Sequence, residues 1–191
     1  MKAKREQILQ AVLELFMEKG LNGMKVSAIA KKADVGKGTV YEYFCSKEDM
    51  FLGAVEYGIG LLGDMVNDKL EGSKTFRARF DILVDCIIDV AKNGPFMSFM
   101  SDAPNMPFSP DTLGKLKTVL GGAMQNFIEI LSDILEMGAQ EGLINPSPTS
   151  YQKKALLIII TNMTMQSVHS GDEDIEELKE FYYETCLKLF A

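Results

Sequence analysis

Residues 34 to 51, DVGKGTVYEYFCSKEDMF, place lysines, hydroxyl groups and glycines close together in one short stretch. The charged and hydroxyl donors are Lys37, Thr39, Tyr41 and Lys47, and the glycines are Gly36 and Gly38. Donors of these kinds contact the phosphates of nucleic acid, and a glycine lets its backbone amide come close to such a ligand. A helix that begins near Lys47 adds an N-terminus, which favours a phosphate group. The stretch is therefore a candidate phosphate-binding surface.

Other kinds of chemical site find less support in the sequence. His169 is the only histidine, and the three cysteines, Cys45, Cys86 and Cys186, lie far apart. Neither a metal site nor a Ser-His-Asp arrangement is expected, because both need imidazole at a defined place. The cysteines are expected to be reduced thiols. We therefore expect a protein that is not an enzyme and that needs no cofactor.

Charge is distributed unevenly along the chain. The 191 residues have a net charge of -7, which by itself argues against binding to nucleic acid. Residues 1–50, however, carry nine Lys/Arg and seven Asp/Glu, a balance of +2, whereas the other 141 residues have a balance of -9. This distribution predicts a basic head joined to an acidic body. No segment contains the roughly 18 apolar residues that a membrane span needs, so we expect a cytoplasmic protein without membrane contact.

The elements that must position the donors are helices. One face of the first predicted helix carries Ile8, Ala11, Val12, Leu15 and Phe16. Residues 25–44 then have the pattern of a helix-turn-helix, with a small residue, Ala30, where two helices cross, and Asp34 in a turn where it can adopt the left-handed conformation. Residues spaced to pack this pair onto the first helix are Ile29, Ala33, Val35, Val40 and Tyr43. Ser46 and Asp49 predict a capping box that starts the next helix.

The rest of the chain predicts a helical body. A long helix is expected over residues 111–144, with a buried line formed by Leu113, Leu116, Leu120, Met124, Phe127, Leu131, Ile134 and Gly138. Ahead of it, residues 94–110 contain four prolines, and a short helix could form around residues 96–101. Residues 155–160 are apolar on every side, which favours a helix covered both by its own core and by another subunit. The last two helices, about 149–190, are therefore predicted to form a homodimer interface.

These motifs together resemble the tetracycline-repressor (TetR) family of transcriptional regulators. The resemblance covers roughly residues 5–55, through ILQAVLELFMEKG and VSAIAKKADVGKGTVYEYFCSKEDMF. Three positions differ from the usual family pattern: Asp34 replaces the turn glycine, Gly36 replaces a serine, and Cys45 replaces a proline or lysine. Beyond residue 55 the chain resembles the family only in layout.

The resemblance implies an all-α fold, with a three-helix DNA-binding domain at residues 1–47 and a helical ligand-binding and dimerisation domain at residues 48–191. It implies a repressor that binds double-stranded, near-palindromic operator DNA as a homodimer and is released when a small-molecule effector enters the C-terminal domain. The DNA-facing residues would be Lys25, Gly36, Lys37, Gly38, Thr39, Tyr41, Tyr43 and Lys47. Candidates for lining the effector pocket are Leu62, Met65, Phe96, Met97, Phe99, Met100, Phe108, Met124, Phe127, Met163 and Gln166.

Two alternatives stay open at this point. A DNA-binding regulator could be controlled by a protein partner, in which case the body would be filled by side chains and hold no small-molecule pocket. An all-helical enzyme would become the better interpretation if a cavity held two facing carboxylates with shifted pKa values.

Overall fold

The computed structural model describes residues 2–19, 25–93, 108–171 and 174–191, and these residues form eight α-helices. The helices are α1 (Lys2–Lys19), α2 (Val26–Lys32), α3 (Lys37–Tyr43), α4 (Lys47–Leu70), α5 (Phe76–Asn93), α6 (Pro110–Gln140), α7 (Ser150–Ser170) and α8 (Ile175–Phe190). The predicted all-α fold is therefore confirmed. The chain forms two compact units, one from Met1–Leu62 with Gly94–Ala123 and one from Gly63–Asn93 with Met124–Ala191. The functional boundary after residue 47 stays a prediction.

The core of the first unit is built on the predicted face of α1. All five residues of that face, Ile8, Ala11, Val12, Leu15 and Phe16, are buried. They share one apolar cluster with Ile29 and Ala30 of α2, Val40 of α3 and Phe51 of α4. The first three helices and the start of the fourth are thus held by a common core, and this core fixes the position of α3.

Asp34 makes the turn between α2 and α3. Its φ of 52° is the left-handed value predicted from the sequence, and Asp34 is the one non-glycine residue with positive φ in the described part of the chain. The Val35 amide donates to the Ala30 carbonyl at 2.9 Å, and the Asp34 amide donates to the Lys31 carbonyl at 3.3 Å. This pair of bonds is the Schellman arrangement, which usually has glycine at the left-handed position.

Replacing Asp34 with glycine is expected to stabilise the fold by roughly 0.5–1 kcal/mol, because glycine removes the steric cost of positive φ. The midpoint of urea unfolding measures the effect. Helix α6 supplies a matched control, since it ends in the same arrangement with Gly142 at φ 74° and the Leu143 amide bonded to the Gly138 carbonyl. Gly142→Asp is expected to lower stability by a similar amount. A loss of stability in Asp34→Gly would contradict the argument.

A cap at Ser46 starts α4, as the sequence predicts. The Asp49 amide donates to Ser46 Oγ at 3.0 Å, and the Met50 amide donates to the Ser46 carbonyl at 3.1 Å. The Asp49 carboxylate reaches one residue further back than in a regular capping box, and it accepts from the Cys45 amide at 2.9 Å. The segment that joins α3 to α4 is therefore held by both partners of the cap.

The beginning of α6 belongs to the first unit. Leu116 is buried in the apolar cluster of α1 to α4, and the Phe108 ring lies 5.1 Å from the Phe51 ring. The Glu48 carboxylate accepts hydrogen bonds from the hydroxyls of Thr112 and Ser109. These bonds, that of Thr112 above all, lower the pKa of Glu48 below its ordinary value. Residues from about 108 to 120 thus complete the core on which the helix-turn-helix is packed.

An aromatic cluster organises the second unit. The Tyr183 ring of α8 lies 5.7 Å from Phe76 and 5.8 Å from Phe80, both on α5. The Arg77 guanidinium lies over the Tyr183 ring at 4.2 Å and pairs with Glu180 at 2.8 Å. Cation–π and ion-pair contacts of this kind join α5 and α8 in addition to the packing of their aromatic rings.

Helix α6 passes close to this cluster at Gly138. A Cβ atom at Gly138 would lie 3.0 Å from ring atoms of Phe76, which is itself completely buried. One turn later, Glu141 Oε1 accepts from the Phe76 amide at 2.6 Å, at the start of α5. Glycine at position 138 therefore lets the backbone of α6 approach the Phe76 ring.

The predicted buried line of α6 is correct only in part. Leu116, Leu131, Ile134 and Gly138 are buried, whereas Leu113 and Met124 are 43% and 39% exposed. The prediction for these two residues was wrong, because periodicity identifies an apolar face and does not say which parts of it a neighbour covers. The predicted helix near residues 96–101 lies outside the described residues. Among the described helices, none has the length and apolar content of a membrane span.

Candidate nucleic-acid interface

Helix α3 has one buried and one exposed side. Val40 is completely buried in the core of the first unit. Lys37, Gly38, Tyr41 and Glu42 are exposed, and the Tyr41 side chain retains 57% of its accessible surface. The helix is seven residues long, and an α-helix with its side chains is about 10–12 Å in diameter, which a major groove about 12 Å wide admits.

The predicted DNA-facing residues are grouped around this exposed side. Lys25 precedes α2, Gly36 precedes α3 and Lys47 opens α4, and all three are exposed. Thr39 and Tyr43 are half-buried on α3 itself. Five of the eight predicted residues therefore lie on α3, and the other three lie just before α2, just before α3 and at the start of α4. The assignment of each to a DNA contact stays a prediction.

Lys32 is a basic residue of this region with a structural role. Its Nζ lies 2.6 Å from a Glu18 carboxylate oxygen and 3.1 Å from one of Glu14, both on α1. The hydrogen bond to Glu18, followed by that to Glu14, raises the pKa of Lys32 above its ordinary value. Lys32 thus ties α2 to α1.

Gly38 stands in open space. A Cβ atom built there meets no other atom within 4 Å, so packing does not require a glycine. Glycine also lowers helix stability by about 1 kcal/mol relative to alanine. On the exposed side of α3, the missing side chain lets the backbone approach a ligand closely.

Gly38→Ala is therefore expected to retain or raise thermal stability and to weaken DNA binding roughly tenfold, which corresponds to about 1.4 kcal/mol. The measurements are a thermal melt and a fluorescence-anisotropy titration with duplex DNA. Gly60→Ala is the matched control, because Gly60 lies in α4 with equally open surroundings. If both variants bind DNA like the parent protein, close approach of the backbone at Gly38 is excluded.

The predicted effector-pocket residues are dispersed. Phe96, Met97, Phe99 and Met100 lie outside the described residues. Leu62 and Phe108 belong to the first unit, and Phe108 packs against its core. Met65, Phe127 and Met163 are half-buried in the second unit, where Met124 and Gln166 are exposed. The pocket assignment accordingly stays a prediction.

The second unit contains a cleft of about 180 Å³ that involves other residues. Its lining is Asn67, Leu70, Glu71, Arg79, Ile130, Asp133 and Ile134. The volume is below the roughly 300–1,000 Å³ of sites that hold drug-sized ligands. Two carboxylates and one guanidinium in the lining also make it more polar than the apolar pocket that the sequence predicts.

The buried cysteines are poorly suited to chemistry. Cys86 and Cys186 are buried, and loss of hydration raises the pKa of the Cys186 thiol to about 12. Because the thiolate is the reactive form, such a thiol is inert near neutral pH.

Sequence reasoning missed the contacts that cross long stretches of chain. The bonds from Ser109 and Thr112 to Glu48 join residues more than 60 positions apart, and the Arg5 guanidinium lies over the Phe44 ring. Local periodicity carries no signal for such pairs. Glu48 lies between the predicted cap residues Ser46 and Asp49, and that local pattern does not indicate a partner so far along the chain.

Comparison with known proteins gives a family match for the N-terminal part of the chain. The family model described as bacterial regulatory proteins, tetR family, matches residues 8–54. A curated HTH-type transcriptional regulator of Bacillus subtilis, YvdT, is 39% identical over 82 residues, which cover 43% of this chain and 42% of the relative. The fatty acid metabolism regulator protein of the same organism is 26% identical over 147 residues, covering 75% and 74%. The match spans less than half the length of YvdT and of a second B. subtilis regulator, YuxN.

Solved structures extend the similarity of fold to almost the whole chain. A TetR transcription regulator from Haloarcula marismortui has a TM-score of 0.74 at 19% identity, covering 96% of each chain. The fatty acid degradation regulator FadR from Bacillus halodurans has a TM-score of 0.70 at 20% identity, covering 96% of this chain and 94% of that one. At these identities the structures show the fold alone. The match of residues 8–54 to the family model, the curated HTH-type relatives and the shared fold together support a tetR-family transcriptional regulator.

Proposed function

We propose that this regulator is a repressor that binds a near-palindromic operator as a homodimer, with α3 in the major groove of each half-site. The observation that carries the proposal is the division of α3 into a buried side at Val40 and an exposed side at Lys37, Gly38 and Tyr41. The core of the first unit holds such a helix in place while its hydrogen-bond donors face outward, as DNA recognition requires. The protein would act in the cytoplasm, where the DNA is.

The test is binding to duplex DNA from the region upstream of the protein's own coding sequence. Affinity is expected to fall steeply between 50 and 200 mM salt, because each neutralised phosphate releases counterions. An unrelated duplex of equal length is the control for specific binding. Equal affinity for both duplexes would contradict an upstream operator, and no binding to either would contradict DNA binding.

The homodimer is proposed to form through α7 and α8. Ile158 on α7 and Phe181 on α8 are 49% and 47% exposed, although both are large apolar side chains. Exposed apolar groups on neighbouring helices are typical of a subunit interface. Sedimentation equilibrium at decreasing concentration tests this, and a monomer at micromolar concentration would contradict it.

An effector is proposed to enter the C-terminal domain and release the DNA. A FadR from B. subtilis that shares this fold at 20% identity was solved in complex with stearoyl-CoA. A long-chain acyl thioester is therefore the first effector to test, by adding it to the preformed complex with DNA. Apolar candidates without the CoA group follow, and release by a protein partner alone would favour the alternative in which no small molecule is bound.

A further inference from the structure

We propose that Arg5, on the first turns of α1, is an additional DNA-phosphate contact at the C-terminal end of α3. The inference rests on the proposed function, since it assumes that α3 enters the major groove. It adds a residue from a different helix to the predicted contact surface.

The position of Arg5 is fixed by Phe44. Its guanidinium carbon lies over the Phe44 ring, 5.5 Å from the centroid, and Phe44 is the C-cap residue directly after α3. Phe44 is only 2% exposed, so the ring is an immobile support. Cation–π contacts act over this distance. The charge of Arg5 is thus held beside the end of the recognition helix.

Gly53 of α4 leaves the room that this arrangement needs. A Cβ atom at Gly53 would lie 3.3 Å from Phe44 Cε1 and 3.5 Å from an Arg5 terminal nitrogen, with Leu9 Cδ2 still closer at 3.1 Å. A side chain at position 53 would therefore compete with the ring and the guanidinium for space. The first turns of α1, the end of α3 and the second turn of α4 meet at this point.

The donors of Arg5 are available to a ligand. Contact with an aromatic face leaves the in-plane N–H groups of a guanidinium free to donate. Arg5 is exposed, and no carboxylate of the described residues lies within ion-pair distance of it. Arg77 differs, because it is paired with Asp81 and Glu180. A planar guanidinium with free donors matches the geometry of a phosphate.

Arg5 lies beside the C-terminal end of α3, where contacts to the DNA backbone are expected. An α-helix with its side chains is about 10–12 Å in diameter and the major groove about 12 Å wide, so residues beside the ends of a helix seated in the groove come near the flanking phosphates. Lys37 opens α3 at one end, and Lys47 follows shortly after its other end. Arg5 lies at the same end of α3 as Lys47. The Phe44 ring holds the Arg5 charge in place, whereas a lysine side chain is flexible.

The salt dependence of DNA binding separates a phosphate contact from a packing role. Arg5→Met keeps an unbranched chain that can cover the Phe44 ring, and it removes the charge. With a random-sequence 30-base-pair duplex, the slope of log K against log salt is expected to become shallower by about one per bound subunit. Lys19→Met is the matched control, because Lys19 is exposed on the same helix about 21 Å away along its axis.

The outcomes distinguish the inference from the proposed function. Parent protein that binds no duplex contradicts the proposed function before any variant is made. Parent protein that binds with an unchanged slope in Arg5→Met overturns the role of Arg5 alone. An equal loss of slope in Lys19→Met overturns it as well, because the effect would then come from net charge.

A second measurement uses the unaltered protein. The chain has three arginines, Arg5, Arg77 and Arg79, whose modification by phenylglyoxal can be followed by mass spectrometry. Saturating duplex DNA is expected to slow modification of Arg5 at least severalfold and to leave Arg77 and Arg79 unchanged. Equal modification of Arg5 with and without bound DNA overturns the inference.

Discussion

Reversing the charges of Lys37 and Lys47 together is expected to weaken DNA binding roughly a hundredfold or more at 0.15 M salt. Both lysines are exposed beside the ends of α3, and each is predicted to neutralise a phosphate. Losing both contacts should make the slope of log K against log salt shallower by about two per subunit, and the new carboxylates add repulsion. Lys37→Glu/Lys47→Glu and the parent protein would be compared by anisotropy titrations at several salt concentrations.

The control must carry the same change in net charge. Lys74→Glu/Lys92→Glu alters two exposed lysines of the second unit by the same amount. It is expected to change affinity only slightly, since charges beyond a Debye length of about 8 Å are screened. Similar losses in both double variants would show that binding follows net charge and not the surface around α3.

Gly138→Leu is expected to lower the free energy of unfolding by roughly 2 kcal/mol. The first added carbon would already lie 3.0 Å from the buried Phe76 ring, and the ring is enclosed by Phe80 and Tyr183. Forcing a side chain into such a site costs about 1–3 kcal/mol or more, which here outweighs the gain of up to 1 kcal/mol from replacing glycine in a helix. The melting temperature should fall by about 4–8 °C.

Gly122→Leu is the matched control on the same helix. No atom lies within 4 Å of a Cβ built at Gly122, so leucine there gains helix propensity without overpacking. Its melting temperature is expected to stay equal or to rise slightly. Equal melting temperatures for the two variants would show that α6 can move away from Phe76, and would contradict the close approach inferred at Gly138.

Features that depend on neighbouring residues were predictable from the sequence. The buried face of α1, the left-handed Asp34 and the cap at Ser46 are confirmed, because each follows from spacing or from the conformational preference of one residue. The all-α fold followed from the same periodicity. The exposed donors of α3 could also be predicted, since Val40 fixes which side of a short helix is buried.

Features that depend on distant contacts were not predictable. Leu113 and Met124 were placed in the core, although they are exposed, because the apolar line on α6 is longer than the surface that covers it. The hydroxyl of Thr112 bonds to Glu48, and no local pattern announces a partner 64 positions away. The effector pocket is the least predictable part, since Met and Phe residues line cores and pockets alike.

The contribution of α6 to the first unit has a consequence for synthesis of the protein. Residues 1–51 supply α1, α2, α3 and Phe51, but Leu116 and Phe108 fill part of the same core and are made about 60 residues later. At 5–20 residues per second, the ribosome needs roughly 3–13 s to add them. During this interval the helix-turn-helix lacks the last layer of its core. The nascent head therefore becomes fully packed only when much of the body has already been translated.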